Sequence, residues 1–360
     1  MNKKRILYLM HIDWRWIKQR PQFIAEGLSN IYDIKVAYFV SKQFLFGEVT
    51  ELSNHKNIDF LQLFRLPFYH NTIIYDLNKF YMRIIFKSLI KKYDPDFIWI
   101  TFPQLYDYIP PNTKCKVIYD CMDLSTGFDF PESFKSKILN LEEKLVTDAD
   151  LVFVSSNFLF KRLDRKYRCE NKLFLIRNAF DGEIIDDYPE KTARKPYKIG
   201  YVGTISQWID FTIIKSTLEE INDIEYHFIG PCELKNKLTD DRIKFHGVIN
   251  HDDLYNYVKH LDCFIMPFKL NKLVKSVDPV KLYEYINYNK PIFSVYYDEL
   301  DYFSQFVHFY SNTNELIDLL KQTIENGFTD KHEGSKRINF LKENSWDIRI
   351  NQIKHLLDTL

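Results

Sequence analysis

Short runs of nearly continuous apolar residues recur along the chain, with helix-length stretches between them. In the first half they predict strands at Arg5–Met10, Ile34–Val40, Ile58–Leu63, Phe97–Thr101, Lys116–Tyr119, Leu151–Ser155 and Leu173–Arg177. Apolar runs without polar alternation are what parallel strands covered on both faces require. Between them, Gln22–Ser29 follows a proline suited to a first helical turn, and Phe134–Thr147 carries apolar positions at helical spacing. From about Asp181 to Pro196 the pattern lapses into charged residues with two prolines and a glycine, which reads as a linker. A second series then predicts strands at Lys198–Val202, Glu225–Ile229, Ile243–Gly247, Cys263–Pro267, Pro291–Val295 and Val307–Tyr310. The last helix, from about Trp346, is amphipathic through Ile348, Ile353, Leu356 and Leu357.

Strands alternating with helices in both halves give an α/β class with two doubly wound, Rossmann-like domains. The domains read as 1–182 and 198–345, joined by a linker at 183–197; the last helix, 346–360, is left the option of returning to the first. A chain of 360 residues is long enough for two such cores. Ligands of doubly wound sheets sit at the carboxyl ends of their strands, so residues just after strands are the candidates, and the expected site is the cleft between the domains.

Composition narrows the classes. The chain has 49 Lys+Arg against 49 Asp+Glu, without the basic surplus of a nucleic-acid binder. Its five cysteines are odd in number and unpaired in sequence, reading as reduced thiols of a cytoplasmic protein. The apolar start Ile6–Met10 is too short for a secretory signal, and no window is long enough to span a bilayer.

The strongest chemistry-bearing segment follows the strand ending near Pro267. A loop with Lys269, Lys272 and Lys275 leads to a helix expected to start with Asp278 as N-cap and Pro279 in its first turn, continuing through Val280. A helix N-terminus after a strand is an anion site, and Lys281 adds a charge there. Glu284 can accept hydrogen bonds from two vicinal ribose hydroxyls. The plainer reading is a well-capped surface helix with solvated charges.

The string Pro279-Val280-Lys281-Leu282-Tyr283-Glu284-Tyr285, followed by Asn289-Lys290-Pro291-Ile292, resembles the donor-binding helix of bacterial GT-B glycosyltransferases. The group is the large family-four one, especially enzymes of teichuronic-acid and capsular-polysaccharide synthesis. Also similar are Trp14–Phe23, Tyr119–Asp123, Ala149–Val152, Arg177-Asn178-Ala179 and Asn344–Asp347, in the expected order over almost the whole chain. The resemblance implies a GT-B fold and a sugar transferred from a nucleotide diphosphate, UDP by expectation, to a hydroxyl of a glycan or lipid-linked acceptor. It implies no cofactor beyond that co-substrate. In the family, two glutamates stand eight positions apart; Glu284 matches the ribose ligand, but Ser276 stands where the sugar-facing glutamate belongs. Asp278 is left two options, part of that role or the helix cap.

Gly203, with Thr204 after it, ends a strand where the backbone can approach a diphosphate. The family's downstream arginine and lysine are absent, so neutralisation falls to Lys281, Lys275, or, across the cleft, Arg15, Lys18 or Arg20. By resemblance, Val248 and Ile249 would hold the base through main-chain groups. In the first domain His11 and Asp13 close the first strand, and Asp120 and Asp123 follow the fifth. An inverting transfer needs a general base, for which Asp123, Asp13 and His11 are the candidates and Asp120 is read as structural. Two D-x-D strings, Asp94–Asp96 and Asp148–Asp150, precede strands and so lie at the wrong end of the sheet for a metal site; no metal ligands are assigned. Residues 75–92 form a basic amphipathic stretch that either packs on the sheet or touches the inner face of a membrane bearing a lipid-linked acceptor. The alternatives carried are a sugar-nucleotide 2-epimerase of the same fold and a non-catalytic partner with a decayed donor site. A dehydrogenase is disfavoured because His11-Ile12-Asp13-Trp14, instead of G-x-G-x-x-G, follows the first strand.

Overall fold

The computed structural model describes residues 3–41, 57–186, 194–234, 239–329, 331 and 334–360, and divides the chain into two compact units. The first is Met1–Asn178 with Trp346–Leu360, the second Ala179–Ser345. The division falls just after Asn178, ahead of the 183–197 stretch that the loss of hydrophobic pattern suggested.

In the first unit the order is β1 (Arg5–Met10), α1 (Arg20–Ser29), β2 (Asp33–Phe39), β3 (Ile58–Leu63), α2 (Thr72–Tyr93) and β4 (Phe97–Ile100). It continues with α3 (Pro103–Tyr106), β5 (Lys116–Cys121), α4 (Glu132–Asp148), β6 (Leu151–Val154), α5 (Asn157–Tyr167) and β7 (Leu173–Leu175). The second unit runs β8 (Tyr197–Val202), α6 (Phe211–Glu220), β9 (Ile224–Ile229), β10 (Ile243–Gly247), α7 (His251–Val258) and β11 (Cys263–Met266). Then come α8 (Val280–Asn287), β12 (Ile292–Val295), β13 (Val307–Tyr310), α9 (Thr313–Glu325) and α10 (Gly334–Glu343). The final helix α11 (Trp346–Leu357) belongs to the first unit.

Each unit holds one all-parallel sheet, ordered β3-β2-β1-β4-β5-β6-β7 in the first and β10-β9-β8-β11-β12-β13 in the second. Both orders reverse direction once, between β1 and β4 and between β8 and β11, and these are the switch points where doubly wound sheets open a crevice. Burial explains the strand sequences. Along β11, Cys263 and Ile265 join one apolar cluster with Ile199, Tyr201 and Phe228. Phe264 and Met266 join the other, with Leu282, Tyr285 and Leu300. Successive side chains alternate faces and both faces are covered, so every position is apolar.

Helix α1 starts with a capping box, Gln19 and Gln22 bonding reciprocally, and Pro21 in its first turn. Against it lies α11: Phe23 stacks on Trp346 at 4.9 Å. Gly27 leaves room for Ile350, whose Cγ1 would stand only 2.4 Å from a Cβ there. Arg349 donates to the Arg177 carbonyl at 3.2 Å.

Candidate functional site

In the second unit the carboxyl ends of β8, β9 and β10 each finish at a glycine with positive φ: Gly203 at 134°, Gly230 at 136° and Gly247 at 73°. Hydrogen bonds stitch these ends together, Gly203 N–H to the Ile229 carbonyl at 2.8 Å and Gly230 N–H to that of Gly247 at 2.7 Å. A Cβ on Gly230 would lie 2.2 Å from the Gly203 oxygen, so the two backbones touch where no side chain fits. The result is a backbone-lined rim beside the β8/β11 switch point, where a diphosphate can come close to main-chain groups.

Lys281 reaches this rim. A Cβ on Gly203 would stand 2.1 Å from the Lys281 Cε and 2.7 Å from its Nζ, so the ammonium packs directly over the glycine. Its Nζ also lies 6.0 Å from the centre of the Tyr201 ring. Helix α8 is fixed from behind by Leu282, Tyr283, Tyr285 and Ile286, all buried. Tyr285 stacks on Phe264 at 4.4 Å, and its hydroxyl accepts from the Val202 N–H at 2.8 Å. That tether joins α8 to the end of β8 and holds Lys281 over Gly203. Val280, Lys281 and Glu284 are the partly exposed positions of the helix, and Lys281 and Glu284, three residues apart, share a face. The loop after β11 is tied to the one after β8, Lys269 N–H donating to the Trp208 carbonyl and Asp210 N–H to that of Pro267, both at 2.7 Å.

The cap lies one residue beyond the expected Asp278. Helix α8 begins at Val280 with Pro279 as N-cap, a residue with no side-chain acceptor. Asp278 is buried and accepts from the Tyr283 hydroxyl at 3.2 Å. A short 3-10 turn, Val274–Ser276, precedes the helix; within it Ser276 is buried and bonds the Leu273 carbonyl. Neither Asp278 nor the position of the missing glutamate therefore lies at an open surface. Lys275 is exposed in that turn, Thr204 is half-buried after β8, and beyond β10 Val248 is 73% exposed with Ile249 half-buried.

The first unit sorts its candidates differently. Arg20 is buried at the start of α1, its guanidinium on Asp120 at 2.8 Å and on the Ile176 carbonyl at 2.6 Å, so it is a core ion pair and not a phosphate ligand. Asp13 is equally enclosed. It accepts from Arg15 Nε at 3.0 Å and Nη2 at 2.9 Å and from the Ser41 N–H at 2.7 Å, which removes both as base and phosphate ligand. Charges this deeply buried must be paired with one another, and that demand outranked the expectation of an open site. Lys18, half-exposed, pairs with Glu26 at 2.8 Å over the Phe23 ring.

Two candidates keep acid-base capacity. His11 ends β1 at this unit's own switch point. Thr101 Oγ1 donates to the Leu9 carbonyl and so accepts from the His11 N–H and from Nδ1 at 2.8 Å, an assignment that leaves the lone pair on Nε2. Burial, then the nearby Arg65 charge, lower its pKa to about 4. Asp123, just beyond β5, has no hydrogen bond to its carboxylate among the described residues. Burial raises its pKa to about 6; the Arg20 charge opposes the rise and Asp120 reinforces it. The D-x-D strings are held at the amino ends of strands: Asp94 pairs with Arg5, Asp96 accepts from the Arg5 N–H, and Asp150 from the Val117 N–H. The sequence alone does not mark Gly230 or Tyr285 for the site, because no spacing rule reveals their contacts to Gly203 and Val202.

No protein-family model matches the chain. TuaH of Bacillus subtilis strain 168, which carries the provisional name of teichuronic acid biosynthesis glycosyltransferase, is 25% identical over 214 residues. The alignment covers 54% of each chain, about half the length of that relative. Among solved structures, a sucrose-phosphate synthase from Thermosynechococcus elongatus is similar with a TM-score of 0.76 at 13% identity, covering 99% of both chains. Anabaena HepE, solved with UDP and glucose, has a TM-score of 0.71 at 13% identity over 100% of both chains. The fold is thus the GT-B type expected from the motifs. The likeness to teichuronic-acid glycosyltransferases is borne out by the sequence relative.

Proposed function

We propose that the chain is a GT-B glycosyltransferase that transfers a sugar from a nucleotide diphosphate, UDP by preference, to a hydroxyl of a surface glycan or its lipid-linked precursor. The observation that carries this reading is the Lys281 ammonium packed over Gly203 at the β8/β11 switch point, beside the start of α8. Backbone groups that can approach closely, a cation and a helix N-terminus converge there, which is the chemistry of a diphosphate cradle. Glu284, one turn along the same face, is assigned to the ribose diol. Main-chain groups at Val248 and Ile249, on the rim beyond β10, are assigned to the base.

Departure of the nucleotide leaves charge on its terminal phosphate. Lys281 and the α8 dipole, already in place, meet that charge without reorganisation, and such preorganised charge contributes most to rate in a water-poor site. No resident cofactor is required. If the acceptor hydroxyl loses its proton to the protein, Asp123 is the carboxylate poised for it, since a base titrating near 6 combines ionisation at neutral pH with useful basicity. Asp13, held by Arg15, is not.

The test is a panel of thermal shifts with UDP- and GDP-sugars, followed by product analysis with UDP-sugar alone. A ligand of the native state must raise apparent stability, so no shift at millimolar concentration points to a decayed site and refutes the reading. An epimerised sugar formed without acceptor assigns the 2-epimerase instead; slow release of UDP supports the transferase.

A further inference from the structure

Helix α2 buries Tyr75, Asn78, Met82 and Phe86, a stripe at helical spacing. Its opposite face is also apolar. Ile73, Leu77, Phe80 and Ile84 are all more than half exposed, Ile73 and Phe80 about 70%. Their spacing of four, three and four sets them in one row about 16 Å long. The same spacing carried on arrives at Lys87 and Lys91, both exposed and with no ion pair among the described residues. One outward row is therefore apolar in its first three turns and basic in the rest.

The approach to the helix lies on its buried side, where the Leu66 N–H donates to Asn78 Oδ1 at 2.8 Å. Phe64, Leu66 and Phe68, between β3 and α2, are exposed, Phe68 by 76%. The loop's base is fixed. Arg65 lies over the Tyr69 ring at 3.6 Å, and His70 packs on Phe130 and Phe134 at 5.1 and 4.6 Å. The acid beside the outward row, Asp76, is faced by Lys137 at 3.7 Å.

We propose that the outward row of α2 forms a wedge that enters the interface of an anionic lipid bilayer. The apolar turns would sit among acyl chains and Lys87 and Lys91 against lipid phosphates. Contiguous apolar surface flanked by cations fits such an interface, where burial and charge attraction act together. A second copy fits poorly. Parallel pairing sets Lys87 and Lys91 against their own equivalents, and antiparallel pairing desolvates them against Ile73 and Leu77. The wedge rests on the first unit alone, so it stands or falls apart from the donor site.

The test is flotation of the full chain with vesicles of phosphatidylglycerol mixed into phosphatidylcholine, against phosphatidylcholine alone. Binding should require the anionic lipid and weaken with salt. Phe80→Ser with Ile84→Ser should lower partitioning at least tenfold, on the order expected for two exposed apolar side chains losing their burial. Lys87→Gln with Lys91→Gln should lower it about twenty-five-fold, from roughly fivefold per lysine near an anionic surface. Far-UV circular dichroism and the melting temperature without ligand should be unchanged in both variants, which shows the fold is intact. No partitioning of the parent chain, or partitioning unaffected by Phe80→Ser with Ile84→Ser, overturns the proposal. A concentration-dependent dimer that those serines abolish, without vesicle binding, assigns the face to a second copy instead.

Discussion

Replacing Gly203 by alanine separates what the glycine does for the fold from what it does for the ligand. At φ 134° a side chain is strained, which costs about 1–3 kcal/mol. The added Cβ would also meet the Lys281 Cε at 2.1 Å. That neighbour is the far end of a flexible chain, so it swings away at little expense to stability, and the ammonium leaves the cradle. A hydrogen bond from a charged donor contributes about 1.5–3 kcal/mol. Nucleotide affinity should therefore fall by about 10- to 150-fold, with stability to urea lowered by the strain alone. Lys281→Met removes the same ammonium without strain and should lose similar affinity at near-parental stability. In the double variant the affinity losses should not add, because both act through one interaction. Titration calorimetry with UDP on the four proteins decides it. Parental affinity in Gly203→Ala, or losses that multiply in the double variant, would refute the placement of Lys281 over the phosphates. Gly230 and Gly247 bracket the result. A Cβ at Gly230 meets the Gly203 backbone, which cannot yield, whereas one at Gly247 meets nothing within 4 Å. Loss of stability should rank Gly230→Ala above Gly203→Ala above Gly247→Ala.

Asp123→Asn should abolish an acidic limb near pH 6 in kcat/KM and lower the rate by about 10²–10⁴ if this carboxylate is the base. The pKa is raised in the fold, so the carboxyl's contribution to stability is full below the ordinary carboxylate value near 4 and lost as pH rises through 6. The asparagine variant should accordingly unfold at higher urea than the parent at pH 7.5 but not at pH 4. Glu284→Ala should weaken UDP binding by about 10- to 100-fold, as expected for lost hydrogen bonds to a charged acceptor, with a melting temperature close to the parent's. Unchanged affinity would remove Glu284 from the ribose. Asp120→Ala strands the Arg20 guanidinium in the core and should cost about 3–5 kcal/mol of stability, measured by urea unfolding.

The strands were legible because their burial is two-sided. Cys263, Phe264, Ile265 and Met266 must all be apolar when alternate ones enter different cores, so a bare hydrophobic run marked every strand of both sheets to within two residues. Contacts distant in sequence left no such mark. Arg20 and Asp120 lie 100 residues apart, and as letters an arginine after a loop reads equally as a phosphate ligand or a core ion pair. Asp13 and Arg15 are close, yet their burial depends on the Ser41 amide and the sheet around it. Helix α2 shows the converse limit: two apolar stripes are visible in its sequence, but only the packed structure tells which is buried.

The segment before α8 is where local rules and tertiary demand parted. Asp followed by Pro is a strong N-cap signal, and Asp278 would have satisfied it had the helix begun one residue earlier. Burial against Tyr283 instead turned the carboxylate inward and left Pro279 at the cap, without a side-chain acceptor for the first turn. A bound phosphate can supply what the cap lacks, so the departure from the local rule strengthens the anion site. The same inward turn encloses Ser276, which stands where the family resemblance implies a sugar-facing glutamate. The proposed recognition of the nucleotide therefore rests on α8 and the glycine rim. Any selectivity for the sugar must come from residues other than Ser276 and Asp278.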